Sequence, residues 1–333
     1  MVLDNLLAIH VQKGEDDMSN SNSRKWIPVV PAAALLLLTL AILAPAASAT
    51  DIYVNQTGWW NATGDTTFHA INPGQIQAAI DNADAGDTIY VWNGTYNENV
   101  KVDKHLTLEG EGAGVVTVTA EAANDHVFDV TADCVNISGF TVTGATGILC
   151  RGICLNSAQH CKISENNASG NRCGICLYYS HHNTLTKNTA NSNGCGICLW
   201  LCSSNNDVSC NWVQNNTEAG FCLAGGSTNN MITNNSIIAN GDMQGDGSYQ
   251  WQFRNDQFKE VSTADNWWGT ADTAIINASI HDWTCSWSES SVTTDPRLSG
   301  SAPCAPVPEL PTILLLAVGL SLLAGYVRIE RRK

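Results

Sequence analysis

Between residues 150 and 235, apolar residues recur in short, evenly spaced bursts instead of long helical stretches. Gly152-Ile153-Cys154-Leu155, Gly174-Ile175-Cys176-Leu177, Gly196-Ile197-Cys198-Leu199 and Gly220-Phe221-Cys222-Leu223 follow one another at intervals of 22, 22 and 24 residues. A second series runs between them: Ile163 to Asn166, Leu185 to Asn188, Val208 to Asn211 and Ile232 to Asn235. Each member is an apolar residue, two polar ones and an asparagine. A fixed period of this size predicts a solenoid, and short β-rich units with Gly and Asn at the corners predict a parallel β-helix. No single coil has enough apolar residues for a core. Stacking coils about 4.7–4.9 Å apart sets Ile over Ile and Leu over Leu in a continuous interior column. Asn166, Asn188, Asn211 and Asn235 are then expected to form an asparagine ladder at one corner, because asparagine tolerates a left-handed backbone and its amide can bond the next in the stack.

The flanks carry different patterns. Ile76, Ala79, Ile80 and Ala83 have helical spacing, which predicts a short helix over the open end of the first coil, where it would cover an apolar end and an unpaired strand edge. Alternating strands follow from residue 88 to residue 144. The aromatic stretch 262–283 suits a C-terminal coil or cap, and 297–308, rich in Pro, Ser and Ala, reads as a linker. The predicted organisation is a leader and signal peptide over 1–49, an N-terminal cap with the first coils over 50–115, coils and C-terminal cap over 116–296, the linker, and an apolar tail over 309–333.

The run G-D-T-I-x-V-x-x-G-T-Y at 86–96, the coils and the D-N-W-W-G-T close at 265–270 together resemble the right-handed β-helix of the pectin-lyase-like superfamily. Within it, the NosD-type repeat proteins common among archaeal surface proteins are the nearest branch. The resemblance covers residues 70 to 285. It implies periplasmic copper binding from the NosD side, and binding or cleavage of carbohydrate from the wider superfamily. Fold does not fix function, so neither follows from the repeat itself.

The apolar segments at both ends predict that residues 50–306 lie outside the cell. Arg24 and Lys25 precede the apolar run at 26–46, and Ala47-Ser48-Ala49 follows, which is the layout of a secretory signal, with Met18 as an alternative start. At the other end, Ile313 to Val327 is apolar and Arg328, Arg331, Arg332 and Lys333 close the chain. The run is short for a spanning helix of about 17–25 residues, and its basic flank fits retention on the cytoplasmic side. Pro-Glu-Leu-Pro-Thr at 308–312 with this tail resembles the PEF-CTERM signals of archaeal surface proteins, Leu310 standing where the motif has Phe. That resemblance implies a sorting enzyme acting on the tail and attachment at the cell surface; a plain membrane anchor is the alternative. Asn55, Asn61, Asn93, Asn136, Asn167, Asn215, Asn234 and Asn277 each begin an N-x-[ST] sequon and are candidate glycosylation sites. With 31 acids against 16 Lys and Arg, for a net charge of −15, the chain lacks the basic stripe that a nucleic-acid binder needs.

Thirteen cysteines sharpen the chemistry. Two C-x-x-C pairs, Cys173/Cys176 and Cys195/Cys198, have a zinc-like separation, but that spacing is a by-product of the 22-residue coil. In a regular strand, residues three apart point to opposite faces, so each pair could share a metal only through a tight turn such as Gly174 could supply. If Ile and Leu face in, Cys154, Cys176, Cys198 and Cys222 face out as a column. Neighbours in that column, and the in-register pair Cys173 and Cys195, would sit at a Cα separation within the roughly 4.4–6.8 Å that a disulfide accepts. Bridges Cys154–Cys176 and Cys198–Cys222 are one expectation, and packing like alanine is the other. A histidine–thiol metal site is also possible at His160, His181 and His182 with Cys161, suited to copper or zinc; calcium is a further possible ion, and no cofactor is required. Tyr178 and Trp200, at one offset on adjacent coils, could form a carbohydrate platform or cover apolar surface. Carboxylates are too few and too scattered over the coils to predict a glycosidase or lyase pair. The sequence therefore predicts an exported, surface-tethered, all-β right-handed β-helix, structural or carbohydrate-binding, with envelope polysaccharide or glycoprotein as partner. The alternatives are a polysaccharide lyase or hydrolase and a NosD-like copper binder.

Overall fold

The structure, a computed structural model, describes residues 49–282 and 290–307. The chain winds as a parallel β-helix whose coils each contribute a strand to three sheets. The first sheet runs from Asp51–Asn55 through Thr88–Val91, Thr107–Gly110, Asn136–Ser138 and the later coils to Met231–Thr233; the second from Gly94–Asn97 to Ser236–Ile238; the third from Val100–Val102 to Ile280–His281. An antiparallel extension, Gly58–Asn61, adds to the first sheet beside Asp51–Asn55.

Stacking in register builds the core. Ile52, Ile89, Leu108, Ile137, Ile163, Leu185, Val208 and Ile232 form one buried column of the first sheet. Ile153, Ile175, Ile197, Phe221 and Phe253 form another in the third. Every coil thus shields the next, and none could do so alone.

The glycine of each repeat is held by close approach. A Cβ at Gly152 would lie 2.8 Å from the Gly174 carbonyl, at Gly174 2.7 Å from that of Gly196, and at Gly196 2.6 Å from that of Gly220. On the same side the Asn171, Asn193 and Asn216 amides would lie 2.7, 2.8 and 2.8 Å from those added atoms. Only hydrogen fits between a strand and the ladder packed on it.

The corners are hydrogen-bonded lattices. Asn166 Nδ2 donates to Asn188 Oδ1 (3.2 Å), Asn188 to Asn211 (3.1 Å), Asn211 to Asn235 (3.0 Å) and Asn235 to Asn266 (3.0 Å). Two further ladders, Asn171–Asn193–Asn216–Asn240 and Asn183–Asn206–Asn230, stand at the other corners. The left-handed backbone sits one residue before each asparagine of the first ladder, at Glu165, Lys187, Cys210, Asn234 and Asp265, and not at the asparagine. That tight turn aims the amide inward, where each Oδ1 accepts from the previous rung's backbone N–H as well as its amide.

Helix α1, Gln75–Asn82, closes the N-terminal end with Ile76, Ala79 and Ile80 buried. Glu98 accepts from Ile76 N and Gln77 N at the helix start, and Lys104 Nζ donates to the carbonyls of Ile80, Asp81 and Ala83 at its end. Opposite charges thus meet opposite ends of the helix dipole. At the other end, Asn266 tops the ladder and Trp268 packs on Phe253. Helix α2, Thr273–Ala278, follows.

Residues 297–307, the described part of the 297–308 linker, lie on the solenoid. Leu298 N donates to Asn266 O, Ala302 N donates to Ser236 Oγ, and Cys304 is disulfide-bonded to Cys210. Small residues let the segment seat closely: Ala302 and Ala305 are buried. Among the described residues no helix is long and apolar enough to cross a membrane. The leader, Cys285 and the tail from residue 308 lie outside the described residues.

Candidate functional site: a thiol-lined groove on the third sheet

The outer face of the third sheet carries three columns. The central one reads Lys101, Asp129, Cys154, Cys176, Cys198, Cys222, Arg254 and His281. Beside it run Arg151, Cys173, Cys195 and Ala219, and on the other flank Asn156, Tyr178 and Trp200.

Cysteines three apart share this face because the glycine between them resets the strand. The pairing passes from Cys173↔Cys195 directly to Ile175↔Ile197. The Gly174 Cβ direction points at the interior Asn193 amide, so Gly174 and Ile175 both face inward and Cys173 joins Cys176 outside. The alternation rule fails here by one inserted residue, as at a bulge.

Cys173, Cys176, Cys195, Cys198, Ala219 and Cys222 form a buried cluster separate from the interior core, with Trp200 packed against it. The five cysteines of this cluster line a cavity of about 260 Å³ together with Ile148, Leu149, Arg151, Arg172 and Arg254. Cys173 Sγ and Cys198 Sγ lie 3.2 Å apart. Hydrogen bonds from the Cys176 and Cys198 thiols hold Cys173 well below the ordinary thiol range, helped by the Arg151 and Arg172 guanidiniums. The same contacts push Cys176 and Cys198 up, so they stay donors. Hydrogen bonding from Cys198 likewise lowers Cys222. The cluster thus favours the thiolate at Cys173 and Cys222 over that at Cys176 and Cys198. Cys154, by contrast, is pushed up to about 12 by burial.

The six outward cysteines of this sheet, Cys154, Cys173, Cys176, Cys195, Cys198 and Cys222, are free thiols, so the expected Cys154–Cys176 and Cys198–Cys222 bridges are not formed. The disulfide the structure does hold, Cys210–Cys304, spans 94 residues, and no local spacing signals it.

Next along the central column, ligand atoms of His126, Asp129 and Cys154 lie within 4.8 Å of one another. Asp129 Oδ1 is buried without a partner. His126 Nδ1 accepts from Arg151 N (3.1 Å), which fixes the ring proton on Nε2 and burdens this trio as a metal site. No sequence motif marked it, since its members come from two coils.

The other sequence-derived candidates are placed as follows. The His160 and His182 rings stack with centroids 5.3 Å apart, and both residues are left-handed turn residues preceding a rung of the Cys161/Asn183 corner. Cys161 points into the core and accepts from Val135 N, so it does not converge with the histidines; burial pushes its thiol to about 11. His181 Nδ1 accepts from Ser204 N. The expected site fails because the turn sends alternate side chains to opposite sides of the wall. Tyr178 and Trp200 stand in register on adjacent strands of the third sheet. The Arg151 guanidinium sits over both rings, 6.0 and 5.4 Å from their centroids. Of the sequon asparagines, Asn93, Asn215 and Asn277 are exposed and the other five half-buried.

Residues 80–280 match the family described as "Periplasmic copper-binding protein (NosD)". No curated relative matches the chain. Among solved structures, pectate lyase Pel9A is similar at 16% identity over 78% of this chain and 82% of its own, with a TM-score of 0.51. ORF18 of Geobacillus virus E2 is similar at 17% identity over 73% of this chain and 53% of its own, with a TM-score of 0.47. An alginate lyase from Paenibacillus sp. str. FPU-7 is similar at 14% identity over 68% and 97%, with a TM-score of 0.42. This chain spans about half the length of the viral protein. At such identities the likeness is one of fold.

Proposed function

This chain belongs to the NosD family, and from that membership and its thiol groove we propose that it binds a soft metal ion, Cu(I) foremost, outside the cytoplasm. The observation that carries the reading is the gathering of six free cysteines on the outer face of one sheet, where the Cys173 thiol is held below its ordinary range by its neighbours. Thiolate donors select soft ions. With metal–sulfur bonds of about 2.3 Å, two thiolates on one tetrahedral ion stand roughly 3.8 Å apart. Cys173 and Cys198, at 3.2 Å, need open only slightly. In this reading Cys173, Cys176 and Cys198 hold the ion, Cys195 and Cys222 flank it, and the guanidiniums of Arg151 and Arg172 balance thiolate charge. The bound ion would supply affinity for further soft ligands.

Polysaccharide cleavage has less support. The two carboxylates lining the thiol cavity are each tied to an arginine: Glu218 to Arg172 at 2.8 Å, Asp256 to Arg254 at 2.7 Å. Each is thus engaged by an arginine, and among the described residues the cavity holds no second, unpaired carboxylate to complete an acid–base pair with it. Tethering through residues 309–333, after sorting or as a plain anchor, remains part of the proposal.

The test is an anaerobic titration of reduced protein with Cu(I) against a chromogenic chelator, with thiols counted before and after. Tight uptake that protects thiols, and its loss in the Cys173→Ser/Cys198→Ser double variant, is expected. Equal uptake by the variant, or none by the reduced wild-type protein, overturns the reading.

A further inference from the structure

The first sheet bears a second unassigned feature on its outer face, near the N-terminal end. Trp60, Tyr53, Tyr90 and Glu109 follow one another in register. The Tyr53 ring stacks on Tyr90 (5.6 Å, 25°) and leans on Trp60 (5.6 Å), while Trp60 meets Trp92 edge-on (5.0 Å, 84°). Trp92 is 46% exposed. Its backbone is pinned, since Tyr96 Oη donates to Trp92 O.

A cleft of about 480 Å³ opens between these rings and two carboxylates, lined by Tyr53, Tyr90, Trp92, Asn93, Glu109 and Glu111. Glu111 is set in place by Asn93 N, which donates to its Oε2 at 2.8 Å. Glu109 stands one strand spacing from Tyr90, and its carboxylate has no hydrogen-bond or ion-pair partner among the described residues. No Lys or Arg lines the cleft, so its charge is wholly negative.

We propose that this cleft binds an amino-sugar residue carrying a free ammonium group. An aromatic wall fits the apolar face of a pyranose, and the quadrupole of a ring attracts a cation within about 6 Å of its centroid. Glu109 and Glu111 meet that ammonium opposite Trp92 and Tyr90, and the Asn93 amide is placed for a hydroxyl. The same carboxylates repel a uronate, so the cleft selects against acidic glycans. Net charge of −15 on the chain reinforces that choice. The site is independent of the thiol groove on the third sheet.

The experiment is calorimetric titration of the purified protein with a fully deacetylated glucosamine tetramer, its N-acetylated counterpart and an oligogalacturonate, at low and high salt. Binding of the deacetylated tetramer alone is expected. It should weaken with salt, and fall about tenfold or more in Trp92→Ala and in Glu109→Gln/Glu111→Gln. The isosteric Glu→Gln pair guards against a folding artefact of the tryptophan change. Equal binding of the acetylated tetramer, no binding in the millimolar range, or an affinity unmoved by both variants would overturn the proposal. So would self-association that Trp92→Ala abolishes, because the rings would then serve a second copy of the chain.

Discussion

Replacing Asn188 by alanine tests the corner ladder at its middle. The side chain makes four hydrogen bonds: its Oδ1 accepts from Asn166 N (3.1 Å) and Asn166 Nδ2 (3.2 Å), and its Nδ2 donates to Ile163 O (2.8 Å) and Asn211 Oδ1 (3.1 Å). Asn188 is fully buried, so water does not readily replace them. At about 1 kcal/mol net per bond the loss is about 4 kcal/mol. The buried Asn166 N–H, left without its partner, keeps the figure from being smaller. Such a loss is a large share of an ordinary domain's margin of about 5–15 kcal/mol. For a chain of this size it corresponds to a drop in Tm of roughly 8–16 °C. Denaturant unfolding followed by both circular dichroism and tryptophan emission is the assay, with exposed Asn124→Ala as control. If Asn188→Ala falls within about 0.5 kcal/mol of that control, the range for an ordinary surface change, the ladder is decoration and the reasoning is wrong.

Three other outcomes follow from the same structure. Gly174→Ala would press a methyl to 2.7–2.8 Å from the carbonyls of Gly196 and Ala168 and the Asn193 amide, and should cost about 2–3 kcal/mol or prevent folding, read as the shift in denaturant midpoint. Cys304→Ser removes a cross-link over 94 residues and should lower stability by up to about 4–5 kcal/mol under oxidising conditions, with wild type plus reductant matching the variant. Burial first, and then the Arg151 charge, hold His126 below its ordinary value of 6.5, so the fold favours the neutral ring. Stability from this group is complete above 6.5 and lost as pH falls through the lower folded value. Urea midpoints measured through this range should therefore decline on acidification less steeply in His126→Asn than in wild type, and parallel profiles would exclude the residue.

The coils were legible because every turn solves one problem with the same residues. Ile163 and Leu185, or Ile175 and Ile197, recur where a stacked wall needs them. The same periodicity was available for the ladders through Asn171, Asn193, Asn216 and Asn240 and through Asn183, Asn206 and Asn230, yet asparagine is so frequent here that only the hydrogen bonds single them out. The thiol groove was half legible. Strand alternation set Cys176 outside, but the extra inward residue at Gly174 that brings Cys173 beside it is a matter of backbone phase, not of composition. The aromatic cleft stayed hidden because Trp60 reaches Tyr53 through an added antiparallel strand, outside any repeat.

The bond between Cys210 and Cys304 changes how the molecule would bear load. A pull applied at residue 307 does not peel the last coil away from its neighbours. It enters the wall sideways at Cys210, where the Asn188–Asn211–Asn235 rungs can share it on both sides. Cut that one covalent strap, and the same tug would unzip the stack from its C-terminal end, one turn at a time.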